Sequence, residues 1–185
     1  GLVLWALGDL VAAEGSWAVS LDSLYRAGHR SDMIGGSIAM ADILLARGRL
    51  RDAGDVSRRG LEVAAETEPK RRGAADMHLG MAEVLREPGD LEGARHHLAA
   101  AEGLGEYAGM PQARHRRRMA AAGLALAEGD PASAIALLDD AERLYTPDFF
   151  PEVRPIAALR ARMQLAAGLV ADASAWARRR GVAAD

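Results

Sequence analysis

The sequence contains no cysteine. This absence excludes a disulfide-stabilised scaffold, a zinc site with thiolate ligands and a cysteine nucleophile. Aromatic residues make up only 4% of the 185 residues, too few to fill the pleated faces of a β-sandwich or barrel of this size. Alanine, leucine and arginine, which all favour helices, dominate instead. The composition therefore predicts an all-α protein.

Positive charge and long apolar runs are also scarce. The formal net charge is −3, so the chain lacks the overall positive field that drives binding to nucleic acid. Its most apolar stretch is residues 119–127, whereas a membrane-spanning helix needs about 20 apolar residues. The first residues carry no basic segment typical of a signal peptide. We expect a cytoplasmic protein with no membrane contact and no direct contact with nucleic acid.

Glycines recur at separations of 39–41 residues: Gly8, Gly48, Gly89, Gly129 and Gly168. Five residues after each glycine stands an alanine: Ala13, Ala53, Ala94, Ala134 and Ala173. Seven residues before each stands another small residue: Gly1, Ala41, Ala82, Ala122 and Ala161. Single matches are common in an alanine-rich chain, so the inference depends on the constant period. Self-similarity at such a period indicates a repeat architecture.

Each repeat unit has the pattern of two helices. Apolar residues recur at spacings of three and four, as in Met40, Ile43 and Leu44, which is one face of a helix. The glycine suits the end of the first helix because it adopts positive φ without strain. An aspartate suited to the N-cap of the next helix follows three of the glycines: Asp9, Asp90 and Asp130. The sequence predicts stacked helical hairpins, with helices near 2–7, 9–27, 31–47, 50–66, 71–87, 90–106, 112–128, 130–145, 152–167 and 169–180.

The spacing of small residues around the glycine resembles the tetratricopeptide hairpin, although the period is near 40 rather than about 34. Four strings, at residues 6–13, 46–53, 87–98 and 161–168, with Ala173 and Trp176, look like one long-repeat array. It is the helical domain of the large ATP-dependent LuxR-type transcription activators, the MalT-like group. The resemblance implies a right-handed α-α superhelix. It also implies a non-catalytic sensor that binds an inducer or a partner protein and helps control oligomerisation.

The chain begins without methionine, and Gly8 is preceded by only seven residues. We therefore expect residues 1–185 to be a single helical-repeat domain, a fragment of a longer chain whose first repeat is truncated. The apolar residues 2–7 would then be left uncovered and could mediate self-association, and Trp5 would be exposed. A free-standing tetratricopeptide scaffold that joins two proteins is the alternative function.

The resemblance also locates a groove. In tetratricopeptide-like arrays the first helix of each hairpin lines the concave surface, where an inducer or partner would bind. Charged residues counted from the glycines along these helices are Asp42, Asp76, Glu83, Arg86, Arg116 and Arg162, and small residues beside them are Ala39, Gly80 and Ala120. The acids lie toward the N-terminal half and the arginines toward the C-terminal half. These charges either orient a ligand or simply solvate the wall.

The sequence shows no pattern of residues for catalysis, a metal or a cofactor. Glu92 and His96 have the i, i+4 spacing of a ligand pair, but no second pair stands nearby, so we interpret them as a surface pair. We expect no enzyme and no cofactor in this segment. Residues 114–118, Arg-His-Arg-Arg-Arg, form the densest basic run. They are either a patch for a phosphorylated or acidic partner or a solvated first helical turn, because a helix spreads five consecutive residues around its circumference.

Overall fold

The computed structural model describes residues 1–66, 72–147 and 155–181. These residues form helices and connecting turns, with no strand in the three ranges. The helices are α1 (Leu2–Ala6), α2 (Leu10–Arg26), α3 (Arg30–Ala46), α4 (Leu50–Ala65), α5 (Ala74–Arg86), α6 (Leu91–Gly103), α7 (Ala113–Ala127), α8 (Pro131–Arg143), α9 (Ile156–Ala166) and α10 (Val170–Arg180). No helix in the described ranges combines the length and the apolar character needed to cross a membrane.

The helices pair as hairpins in chain order, α1 with α2, α3 with α4, and so on to α9 with α10. The all-α superhelix of hairpins predicted from the sequence is confirmed. One boundary differs clearly, since α6 ends at Gly103 and a short 3-10 turn, Glu106–Ala108, follows it. Gly105, with φ of 79°, interrupts the helix there. The predicted helix starts at 71 and 152 lie outside the described residues.

The repeating glycines close each hairpin in the same way. All five have positive φ, between 71° and 91°. At each of them the glycine N–H donates to the carbonyl three residues back, and the next N–H donates to the carbonyl five residues back, as in Gly48 to Leu45 and Arg49 to Leu44. This pair of bonds is a Schellman motif, which satisfies the last carbonyls of the first helix.

The second helices begin with the predicted N-caps. The carboxylates of Asp9, Asp90 and Asp130 accept hydrogen bonds from the backbone N–H three residues on, at 2.9–3.0 Å. The alanines five residues after the glycines are all buried. Since a larger side chain at these positions would separate the two helices, the small residues permit the close crossing.

The hydrophobic core runs between consecutive hairpins. Met33, Ile34 and Ile38 of α3 pack with Val63 of α4 and Met77 of α5, and further along α7, α8 and α9 share a similar cluster. Helix α3 is therefore buried on several sides, with ten of its 17 residues buried. Each hairpin completes the core of the next, as in solenoid proteins.

The expected exposure of Trp5 is wrong. Its side chain is only 2% exposed because it packs against Ala13, Ala39 and Ile43 of α2 and α3. Other apolar side chains at this end of the chain are exposed to solvent, namely Val3 at 70% and Leu7 at 77%. Self-association through residues 2–7 stays a prediction.

Candidate functional site

All six charged residues predicted for the groove lie on first helices of hairpins. Asp42 is on α3, Arg116 is on α7, Arg162 is on α9, and α5 carries Asp76, Glu83 and Arg86. The small residues Ala39, Gly80 and Ala120 are buried on the same helices.

Asp42 and Arg116 form an ion pair that passes over α5. An Nη atom of Arg116 donates to Oδ1 of Asp42 at 2.5 Å, and the two side chains are only 16% and 15% exposed. The pair links hairpins that are not neighbours in the array. The side chain of Arg116 therefore bridges the first helices of the two hairpins on either side of α5–α6.

Asp76 lies beneath that pair and is almost completely buried, at 1% exposure. Its Oδ2 accepts a hydrogen bond from the backbone N–H of Met110 at 2.8 Å, whereas its Oδ1 has no hydrogen-bond partner. Burial raises the pKa of the Asp76 carboxyl to about 6, the charge of Asp42 raises it further, and Arg116 and the Met110 hydrogen bond oppose the rise. Asp42, Asp76 and Arg116 together form a charge cluster.

The remaining predicted residues are outside the charge cluster. Glu83 is buried two turns further along α5. The Arg86 guanidinium forms an ion pair with Glu87 and lies against Gly123 of α7, where its Nε would be 2.9 Å from an added Cβ. Gly123 therefore leaves room for Arg86. Arg162 is exposed on α9, and no described hydrogen bond or ion pair involves it.

Sequence reasoning missed a histidine contact between α5 and α6. The Nδ1 atoms of His78 and His97 are 2.9 Å apart, and the His96 ring packs edge-on to His97. One ring must be neutral to accept this hydrogen bond. Burial, with the neighbouring histidines adding to it, lowers the pKa of His78 and lowers that of His97 to about 4. The sequence did carry a signal, since His78 lies eleven residues before Gly89 and His97 eight residues after it, on the two helices of one hairpin.

The histidines do not amount to a metal site. Within the described ranges, no group of three or more histidine or carboxylate side chains is arranged to hold a metal ion. Glu92 and His96, the spacing noted in the sequence, are both exposed on α6.

The side chains of the basic run at residues 114–118 point to different sides of α7. His115 is buried against Tyr145, with ring centroids 5.1 Å apart, and burial lowers its pKa to about 4. Arg116 belongs to the charge cluster. Arg114, Arg117 and Arg118 line an open cleft of about 1000 Å³ between α5, the turn after α6, α7 and the end of α8. The i, i+3, i+4 spacing of these three arginines was the sequence signal for a shared face.

A family model for the MalT-like TPR region matches residues 1–182. The chain belongs to this family. The comparison with curated proteins found no match. Membership establishes the helical-repeat type and suggests a domain for sensing or protein interaction, and helical repeats of this type are generally non-catalytic.

Proposed function

We propose that this chain is the non-catalytic sensor module of a LuxR-type transcriptional regulator, and that it binds an inducer or a partner protein on the wall formed by α3, α5, α7 and α9. The observation that carries the proposal is the match of residues 1–182 to the MalT-like TPR region. The polar groups of the charge cluster lie along this wall and support a binding role for it.

The charge cluster suggests how binding would change the array. Arg116 balances two carboxylates, Asp42 and Asp76, which come from different hairpins. A ligand that competes for Arg116 or adds a cation there changes how α3 and α7 are held over α5. Such a ligand shifts the packing only if it binds one arrangement of the hairpins better than the other. The altered packing would then control the assembly state of the complete regulator.

The experiment exchanges the charges without removing the ion pair. In the complete reading frame, the double variant Asp42→Arg with Arg116→Asp keeps one cation and one anion between α3 and α7. If the wall recognises its ligand through these charges, we expect the swap to abolish induction of a reporter gene while the circular dichroism spectrum of the isolated chain stays helical.

The matched control is Arg95→Glu with Glu128→Arg. It swaps an exposed ion pair in which Nε of Arg95 lies 2.6 Å from Oε1 of Glu128. We expect this control to leave induction unchanged. Full induction in the Asp42/Arg116 swap would remove the charge cluster from the mechanism. A reading frame that encodes no ATPase and no helix-turn-helix would contradict the regulator itself and favour the free-standing scaffold.

A further inference from the structure

The arginine-lined cleft lies on a different face of α7 from the charge cluster. Arg116 points toward α3, whereas Arg114, Arg117 and Arg118 line the cleft together with Arg72, which precedes α5. The lining contains these four guanidinium groups and, among the residues whose side chains the structure describes, no carboxylate. The net charge of the whole chain is −3, whereas this cleft is positively charged. It therefore attracts anions.

Two of the arginines have unsatisfied donors inside the cleft wall. The Nε atoms of Arg117 and Arg118 are buried and have no hydrogen-bond partner. Arg117 is 3.8 Å from the mostly exposed Glu102, beyond hydrogen-bond distance. In the ranges that the structure describes, Arg72 and Arg118 take part in no ion pair. Because the guanidinium groups of Arg72 and Arg118 line the cleft without a described carboxylate partner, an anionic ligand oxygen can pair with them.

Most of the other lining residues are apolar, and an aromatic ring lies at the rim of the cleft. Ala75, Leu79, Ala101 and Leu144 are among the lining residues. Tyr107, on the 3-10 turn, also lines the cleft and is 93% exposed. An exposed ring next to guanidinium groups gives a flat surface for the apolar body of a ligand. The volume of about 1000 Å³ matches small-molecule sites.

The loop that carries Tyr107 is held in place by two hydrogen bonds, one between backbone groups and one from the backbone to a side chain. The N–H of Gly73 donates to the carbonyl of Ala108 at 2.8 Å, and the N–H of Met110 donates to Asp76 at 2.8 Å. Both bonds tie the turn after α6 to the start of α5. The rim is therefore fixed before any ligand arrives, which lowers the entropic cost of binding.

We propose that this cleft binds a small organic anion that joins at least one doubly charged group, such as a phosphate monoester, to an apolar or aromatic body. The planar guanidinium fork of arginine matches phosphate and carboxylate oxygens in bidentate geometry. The cleft shares α5 and α7 with the wall of the proposed function, but no residue of the charge cluster lines it, so either assignment can fail alone.

The test uses three probes on the 185-residue chain at pH 8 by isothermal titration calorimetry. 1-Naphthyl phosphate carries both charge and a ring, 1-naphthol carries only the ring, and inorganic phosphate carries only the charge. We expect 1-naphthyl phosphate to bind at least about tenfold more tightly than either of the others. Equal affinity of 1-naphthol, or of inorganic phosphate, would overturn the proposal.

Variants locate the binding. Arg118→Ala and Arg72→Ala, from opposite walls, should each weaken binding of 1-naphthyl phosphate about tenfold, because each removes a charge-assisted contact. Arg51→Ala, an exposed arginine on α4, is the control and should change nothing. Arg72 is exposed outside any helix, so its variant stays informative if Arg118→Ala fails to fold. Unchanged affinity in both cleft variants would contradict the site, and tighter binding of an octaglutamate peptide would contradict a small ligand.

Discussion

At the scale of single residues, the most unusual environment is that of Asp76. The side chain is buried, one of its two oxygens has no partner, and its pKa is raised to about 6. A carboxyl group in this state is a cost to folding whenever it is ionised. The cost is tolerated because Arg116 stands close and because Oδ2 fixes the turn at Met110.

The raised pKa predicts how stability depends on pH. The folded chain holds the Asp76 proton more tightly than the unfolded chain does. The stabilisation that this proton gives to the folded state is fully present below pH 3.8 and is lost as the pH rises through about 6. The difference between the two pKa values corresponds to about 3 kcal/mol. Because the unfolded carboxyl is already mostly ionised at pH 4.5, we expect Asp76→Asn to gain about 2 kcal/mol in unfolding free energy, relative to the original chain, between pH 4.5 and pH 7.5.

Urea denaturation of both proteins at the two pH values measures this difference. His97 and His115, whose pKa values are lowered to about 4, act in the opposite direction, since their neutral forms favour folding as the pH rises through 4 to 6.5. Their effect is common to both proteins and cancels in the comparison. An identical stability difference at pH 4.5 and pH 7.5 would show that Asp76 does not titrate in this range.

At the scale of helices, glycines inside helices have opposite roles that depend on their neighbours. A Cβ added at Gly60 of α4 would lie 2.4 Å from Sδ and 2.9 Å from Cγ of the buried Met77 on α5. A Cβ added at Gly15 of α2 would meet nothing within 4 Å. The close crossing of α4 and α5 therefore requires a glycine at position 60. No contact that the structure shows requires one at position 15.

This contrast gives a matched pair of substitutions. We expect Gly60→Ala to destabilise the chain, because overpacking of about 1–3 kcal/mol exceeds the gain in helix propensity of up to about 1 kcal/mol. Gly15→Ala should stabilise it by about 0.5–1 kcal/mol, since only the propensity changes. Thermal denaturation monitored by circular dichroism should give a lower unfolding midpoint for Gly60→Ala and a higher one for Gly15→Ala. A rise in the midpoint for Gly60→Ala would mean that the helices move apart freely.

At the scale of the whole molecule, the Asp42–Arg116 pair adds a link that a simple repeat array lacks. In solenoid proteins each repeat contacts only its neighbours, and stability is close to a sum over neighbouring interfaces. Here α3 and α7 are joined directly, past the hairpin between them. We therefore expect the pair to make unfolding of the central hairpins more cooperative.

A double-mutant cycle tests that link. We expect Arg116→Gln to cost about 3 kcal/mol at pH 7.5, because it leaves Asp42 and Asp76 as neighbouring carboxylates without their cation. Asp42→Asn should lower the stability less, since Arg116 still has Asp76 as a partner. The coupling energy between the two substitutions should fall between about 0.5 and 3 kcal/mol. At pH 5, where Asp76 holds its proton, the cost of Arg116→Gln should shrink. Additive effects of the two substitutions at pH 7.5 would show that the pair contributes no coupling.

Features that depend on neighbours along the chain were predictable from the sequence. The glycine period, the aspartate caps and the alanines at the helix crossings all follow from local backbone geometry and from contacts inside one hairpin. The exposure of Trp5 was predicted wrongly because that reasoning treated the first helix as uncovered, whereas α2 and α3 cover Trp5.

Contacts between hairpins were not predictable in the same way. The sequence placed Asp42, Asp76 and Arg116 on first helices, but the hydrogen bond between Asp42 and Arg116 depends on how far each hairpin rotates relative to the last. The cleft beside Arg118 likewise brings together residues of the α5–α6 and α7–α8 hairpins that no local pattern joins.

The sequence alone thus determined the repeating unit, its register and the residues that face its partner helix, because these depend on a 3.6-residue period and on glycine's backbone freedom. Only the tertiary structure decided which charges pair and which arginines share a cleft. Those outcomes depend on small crossing angles that accumulate from hairpin to hairpin, and side-chain packing rather than residue spacing sets each angle.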